Sequence, residues 1–277
     1  MNQLDLVGKA TRFRRELGED ATSPIDIFAL ALSIENLTLF LYPLGDGISG
    51  MCIKAENTCV IAINSAMSKA RQRFTLAHEL YHYKYGNIGE STICSSKLSS
   101  ESDAVIEQEA DRFASYLLLP LGVYEDKMAS AKSAYGHIRK ADLISIEQQY
   151  GISHQAMLWR LTDDRIITPA ENLSLKGGVI SEARRLGYDD ELYRIIGREN
   201  AERKVLGHYV KMADTLLEHE KISDGKYTEN DIISEAVKQQ FGIFTVGDFF
   251  MFKQGIGHFY IMSQHFSFGI FSADDTV

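Results

Sequence analysis

The sequence has no excess of positive charge, no long apolar run and no paired-cysteine motif. Its 29 basic side chains are outnumbered by 38 acidic ones, for a formal charge of −9. The deficit holds along the chain: 17 basic against 21 acidic through Arg165, and 12 against 17 after it. Neither half carries the electrostatic footprint of a general nucleic-acid binder. No apolar stretch reaches the roughly 18 residues that a membrane span needs. Ile25 to Leu44 and Phe241 to Phe271 come nearest, and Asp, Glu, Gly or Pro interrupts each. Asp5, Lys9 and Arg12 stand where a secretory signal would need an apolar core. The three cysteines, Cys52, Cys59 and Cys94, form no Cys-x-x-Cys pair and cannot build a complete disulfide framework. A cytoplasmic protein in a reducing compartment is expected.

What is present is ordinary globular composition, 45% apolar and 24% charged over 277 residues. That length suits one large domain or two ordinary ones. Residues 3 to 17 place Leu4, Val7, Ala10, Phe13 and Leu17 on one helical face. Ser23-Pro24 signals a helix to about Asn36. Three short β-rich runs follow: Leu37–Leu41, Ile48–Lys54 and Cys59–Ile63. Helical period returns from Ser68 to Tyr85, and again from Asp103 to Leu118. The Ser-, Gly- and Thr-rich residues 87 to 102 between them are expected to form a surface loop.

Helix-loop-helix character continues through residues 121 to 162, and Thr168-Pro169 and Gly177-Gly178 read as a linker. Asp189 to Lys221 has the pattern of one long helix, and Thr228 with Asp231 resembles a capping box for a further helix. Nine of the 14 phenylalanines lie between Phe241 and Phe271, a β-like, aromatic-dense tail.

The string that carries chemistry is Ala77-His78-Glu79-Leu80-Tyr81-His82. It holds H-E-x-x-H on an expected helix. Four residues span just over one turn, so His78 and His82 project from one face and can share a metal ion. Glu79 is rotated by about 100° from His78. It can stand beside the ion without ligating it and take a proton from a metal-bound water. Such a site needs a third protein ligand and an open position. Glu107 and Asp111, spaced i, i+4 on the next helix, share a face. One could ligate the metal while the other fixes the tautomer of a ligand histidine. Glu109 points elsewhere on that helix.

Arg73 to Tyr83 (R-F-T-L-A-H-E-L-Y-H-Y), followed by Glu107 to Pro120 (E-Q-E-A-D-R-F-A-S-Y-L-L-L-P), resembles the ImmA/IrrE family of bacterial and phage metallopeptidases. Gly47 to Gly50 (G-I-S-G) and the strand ending at Ile63-Asn64 fit that family's small sheet. The resemblance covers roughly residues 20 to 165. It implies an α+β fold: a zincin-like core with a small three-stranded sheet and several helices. A mainly helical C-terminal region with the β-like tail would follow. It also implies His78, His82 and a glutamate of the E-x-E-A-D stretch as ligands of one Zn²⁺ per chain, with another divalent metal possible. The i, i+4 argument selects Glu107 over Glu109, gives Asp111 to the outer hydrogen bond and leaves Glu79 as the catalytic base. The implied substrate is a separately encoded helix-turn-helix repressor, since only about 20 residues precede Ser23.

Residues 1–165 are therefore read as the peptidase domain, and 166–277 as a region for sensing, docking or oligomerisation. The helix-turn-helix-like segment at 140–162 pairs Arg139, Lys140, Arg160 and Arg165 with Asp142, Glu147, Asp163 and Asp164. With no net charge, it reads as packing rather than DNA binding. Trp159 is expected in the core. Tyr81, Tyr116, Tyr135 and His137 are candidates to stabilise an oxyanion. Ile48–Lys54 or Cys59–Ile63 could be a peptide-binding edge strand. The alternative function is a regulatory protein that binds a repressor or DNA, with the metal mainly structural. Glu79 speaks against it, because structural zinc has four closed ligands and no use for a base.

Overall fold

The computed structural model describes residues 3–44, 47–54, 58–86, 91–95 and 101–221, and strand segments 244–246, 249–253, 258–263 and 269–272. Helix α1 (Gln3–Glu16) and the short α2 (Ile27–Ser33) precede strands β1 (Leu37–Tyr42), β2 (Ile48–Lys54) and β3 (Cys59–Asn64). Helix α3 (Lys69–Tyr85), strand β4 (Ser91–Ser95) and helix α4 (Glu101–Leu118) come next. Then follow α5 (Leu121–Tyr135), α6 (Lys140–Tyr150), α7 (His154–Asp163), α8 (Pro169–Lys176) and α9 (Val179–Arg185). Strand β5 (Lys204–Gly207) and helix α10 (His208–Glu218) close this part. The architecture is α+β, as expected.

The three expected strands are the middle of a five-stranded sheet ordered β4-β2-β3-β1-β5. β1 and β3 run parallel with Leu37 opposite Cys59, while β2 is antiparallel to both β3 and β4. Both β1 and β3 are buried almost throughout. One sheet face, through Leu39, Ile61 and Ile63, joins the main core beneath α3. The other, through Phe40, Val60 and Ala62, packs on Met51 and Leu44. A strand covered on both faces must be apolar at consecutive positions rather than alternate ones.

Several expectations need correction. The stretch read as a surface loop contains β4, so neither Ile48–Lys54 nor Cys59–Ile63 is an edge. Strands are paired by distant partners, and a Ser/Thr-rich segment gives no local sign of one. Asp189 to Lys221 is not one helix: β5 and α10 divide it, with Gly197 and Gly207 at φ of 80° and 90°. Helices do not pass through that left-handed region. Thr168-Pro169 is a helix start rather than a linker. Thr168 accepts from Glu171 N, and Glu171 accepts from Thr168 N in return. Helix α2 begins later than expected. Asp20 ties up the Thr22 and Ser23 amides, and Asp26 caps the helix through the Phe28 and Ala29 amides. Trp159 is 37% exposed rather than buried. The Thr228–Asp231 capping box lies outside the described residues.

Helix α4 is held where it can face α3. Phe113 stacks edge-on against Phe13 of α1 at 5.9 Å and against Tyr81 of α3 at 5.4 Å. Two buried arginines meet its C-terminal carbonyls: Arg14 donates to Leu117 O at 2.6 Å, and Arg160 to Leu119 O at 2.7 Å. Cations there satisfy orphan carbonyls and suit the negative end of the helix. The one arginine of α7 thus serves the core, 2% exposed.

The chain after residue 165 adds to the same sheet, because β5 pairs antiparallel with β1. The preceding segment is tied down by Ala70 N to Leu192 O (3.1 Å), Gly197 N to Ala66 O (2.9 Å) and Tyr193 Oη to Glu147 Oε2 (2.9 Å). The aromatic tail contains strands β6 (Phe244–Val246), β7 (Phe249–Lys253), β8 (His258–Ser263) and β9 (Gly269–Ser272), joined in sequence order as an antiparallel sheet. No helix among the described residues is long and apolar enough to cross a membrane.

Candidate metal centre

Ser68 caps α3 by accepting from the Arg71 amide, and the helix then runs under the sheet with both sides covered. This is why its polar residues His78, Glu79 and His82 are at most 4% exposed. Polar groups are buried at that cost only where each has something to bind.

The two imidazoles and Glu107 converge. Glu107 Oε2 lies 3.2 Å from His78 Nε2, and its Oε1 lies 3.3 Å from His82 Nε2. The two Nε2 atoms are 3.1 Å apart. Ligand atoms bound tetrahedrally at about 2.0–2.1 Å stand about 3.3 Å from one another. Each nitrogen thus stands from the other, and from the Glu107 oxygen that faces it, at about the separation of two tetrahedral ligands, with a different oxygen of the carboxylate facing each ring. Two nitrogens and one carboxylate oxygen are also the donor set of catalytic zinc sites, which keep the fourth corner open. Burial pushes the Glu107 carboxyl up, but the hydrogen bonds and charges of His78 and His82 outweigh it. They hold the group well below the usual carboxylate range.

Asp111 Oδ1 accepts from His78 Nδ1 at 2.8 Å. With an ion bound, a proton held on Nδ1 would leave the Nε2 lone pair to ligate it, the carboxylate–histidine–metal pattern. Asp111→Asn is therefore expected to weaken zinc binding about 10–100-fold, the usual cost of losing such a partner. Competition with a chromophoric chelator checks it.

Glu109 is turned away. Tyr81 Oη donates to Glu109 Oε2 at 2.8 Å, and burial with this bond pushes the phenol up. Tyr81 itself sits beside the cluster, its ring 5.8 Å from that of His82. The other oxyanion candidates have different company. Tyr116 lies beside the Arg160 guanidinium at 4.8 Å, and Tyr135 under that of Arg139 at 3.3 Å. His137 Nδ1 bonds the Tyr135 carbonyl at 2.9 Å.

Glu79 is fully buried between α3 and β2. The strand can pass this closely because residue 50 is glycine. A Cβ there would stand 2.5 Å from Thr75 Cγ2 and 3.0 Å from Glu79 Oε1. The sequence places Gly47 to Gly50 in the small sheet but carries no sign of this close approach, which depends on a helix about 25 residues further on. Gly50→Val is expected to push Thr75 and Glu79 aside and destabilise the fold by about 1–3 kcal/mol, the range for overpacking. Thermal unfolding measures it. Beneath the same helix, Cys52 and Cys59 lie with their sulfurs 3.6 Å apart, both buried. A hydrogen bond with Cys59 and burial push the Cys52 thiol up, as suits small hydrophobes rather than nucleophiles.

Among the curated proteins none matches the chain. The family model described as the IrrE N-terminal-like domain, Peptidase M78, matches residues 22–162. That span holds all of α3 and α4, and so both sides of the cluster. With more than half of its residues in that match, and with paired imidazoles and a carboxylate facing one another across two helices, the chain belongs to the Peptidase M78 family of metallopeptidases.

Proposed function

We propose that the chain is a zinc-dependent endopeptidase of the cytoplasm that cuts one specific protein, a separately encoded helix-turn-helix repressor. The observation that carries the reading is the meeting of Glu107 of α4 with His78 and His82 of α3, a carboxylate oxygen within 3.3 Å of each imidazole, with Glu79 directly after His78. His78, His82 and Glu107 would hold the ion. Bound there, zinc would supply a water acidic enough to be deprotonated near neutrality and a Lewis acid for the scissile carbonyl. Asp111 keeps His78 in the tautomer that ligates. Glu79 takes the proton from the attacking water and passes it to the leaving amine nitrogen. Tyr81, held by Glu109, keeps the His82 ring in place from the side.

The repressor as substrate is supported by the resemblance of the two motifs to the ImmA/IrrE family. Residues 1–165 would be the peptidase domain, and 166–277 the part that docks or senses. The test is to mix the zinc-loaded chain with the helix-turn-helix protein encoded beside it and follow the products by mass spectrometry. A single cut that a chelator stops and added zinc restores is expected. Uncut repressor at stoichiometric enzyme would overturn the reading.

A further inference from the structure

A broad concavity among the described residues lies apart from the His78–His82–Glu107 cluster, and none of these three lines it. Its walls include the first turn of α3, one side of α7 from His154 to Thr162, the α8–α9 pair and residues 192 to 198. Its volume is about 1510 Å³. That exceeds the roughly 300–1,000 Å³ of small-molecule pockets and suits a length of peptide.

The charge of this groove opposes that of the chain. Arg71, Lys176, Arg184 and Arg198 line it and, among the described residues, no Asp or Glu does, on a chain of net charge −9. Arg184 shares its charge with Asp190 at 2.7 Å, and Arg198 donates to the Leu44 carbonyl at 3.4 Å. The Arg71 guanidinium donates to Ser49 Oγ at 3.1 Å, and neither it nor Lys176 meets a carboxylate among the described residues. The positive end of α7 opens into the same space. Between the cations stand exposed apolar side chains, Ile195 (76%) and Trp159 (37%).

We propose that this groove docks an acidic peptide segment carrying apolar anchors, contributed by the protein that the peptidase acts on. Cations set among exposed apolar groups match alternating acidic and apolar side chains. A polynucleotide fits less well, because the exposed aliphatic side chains of Ile180 and Ile195 in the lining suit the apolar anchors of a peptide and offer nucleotides neither charge nor a stacking face. The docking would select a partner and steer it by charge, away from the bond that is cut. Its identification with the substrate rests on the peptidase reading. Binding is measured without cleavage, so either can fail alone.

Trp159 is the one tryptophan of the chain, so its emission reports on the groove directly. The full chain carrying Glu79→Gln is titrated with a short synthetic peptide of alternating Glu and Leu. Controls are the peptide with Lys for Glu, and oligothymidylate. A saturable emission shift that weakens with salt is expected for the acidic peptide alone. Arg71→Glu with Lys176→Glu should raise its Kd roughly tenfold or more. Should Arg71→Glu unfold the chain, Lys176→Glu with Ile195→Ser, both on exposed side chains, takes its place. Absence of a saturable shift, equal binding of the Lys peptide, tighter binding of oligothymidylate or indifference to charge reversal would each overturn the proposal.

Discussion

Glu79→Gln is expected to retain zinc and lose cleavage by about 10²–10⁴-fold, the usual contribution of a positioned general base. The substitution is isosteric, which matters in a fully buried site where Gly50 already passes within contact of the side chain. Nothing should repack. What changes is proton affinity: an amide cannot accept the proton that the attacking water must lose. The three proposed ligands are untouched, so metal content measured by atomic absorption should match the parent. Loss of zinc together with activity would instead make Glu79 a structural residue. Full biological output from the Glu79→Gln chain would favour a regulatory protein that works by contact, with the metal mainly structural.

The second large effect should separate two glutamates that stand two positions apart. Glu107→Ala removes one of the three proposed ligands and is expected to weaken zinc binding by well over the roughly 10–100-fold assigned to an outer partner. Glu109→Ala should leave affinity almost unchanged, because that side chain faces Tyr81. Zinc at about 100 times its dissociation constant stabilises a folded chain by ~2.7 kcal/mol. The thermal shift on adding zinc should therefore survive Glu109→Ala and vanish in Glu107→Ala. Equal shifts in both variants would sink the assignment of Glu107. The apo protein offers a check on folding, since Glu107 keeps part of its side chain in water.

The chemistry of the site was readable early because it is local. His78, Glu79 and His82 share one helical turn, and Glu107 and Asp111 share another. A spacing of three or four residues already states which groups can meet. The pairing across helices required only that α3 and α4 be neighbours. The choice of Glu107 over Glu109 used the i, i+4 spacing within the stretch that the resemblance implied, and a carboxylate oxygen of Glu107 lies within 3.3 Å of each imidazole. The strands β1, β2 and β3 were legible as short runs rich in apolar and strand-favouring residues. Strand β4 was not, because its partner β2 lies roughly 40 residues away and nothing in its own composition demands pairing. Strand β5 was hidden for the same reason inside a pattern that looks helical from residue to residue. Trp159 was expected inside by its chemistry. It lies on a partly exposed face of α7, while Arg160 beside it takes the buried place between Tyr124 and the end of α4.

By itself the amino-acid order determined the identities and spacings of the groups that could bind an ion, the helices that carry them and an acidic overall balance. Those follow from turn geometry and composition, which act within a few residues. Only the tertiary structure decided that Glu107 faces both imidazoles, that Gly50 lets β2 press on Glu79, and that residues 204–207 close the sheet beside β1. It also gathered Arg71, Lys176 and Trp159 from three separate helices around one groove in a chain of opposite charge. Contacts between residues distant in sequence are selected by packing of the whole core, and no local pattern encodes them.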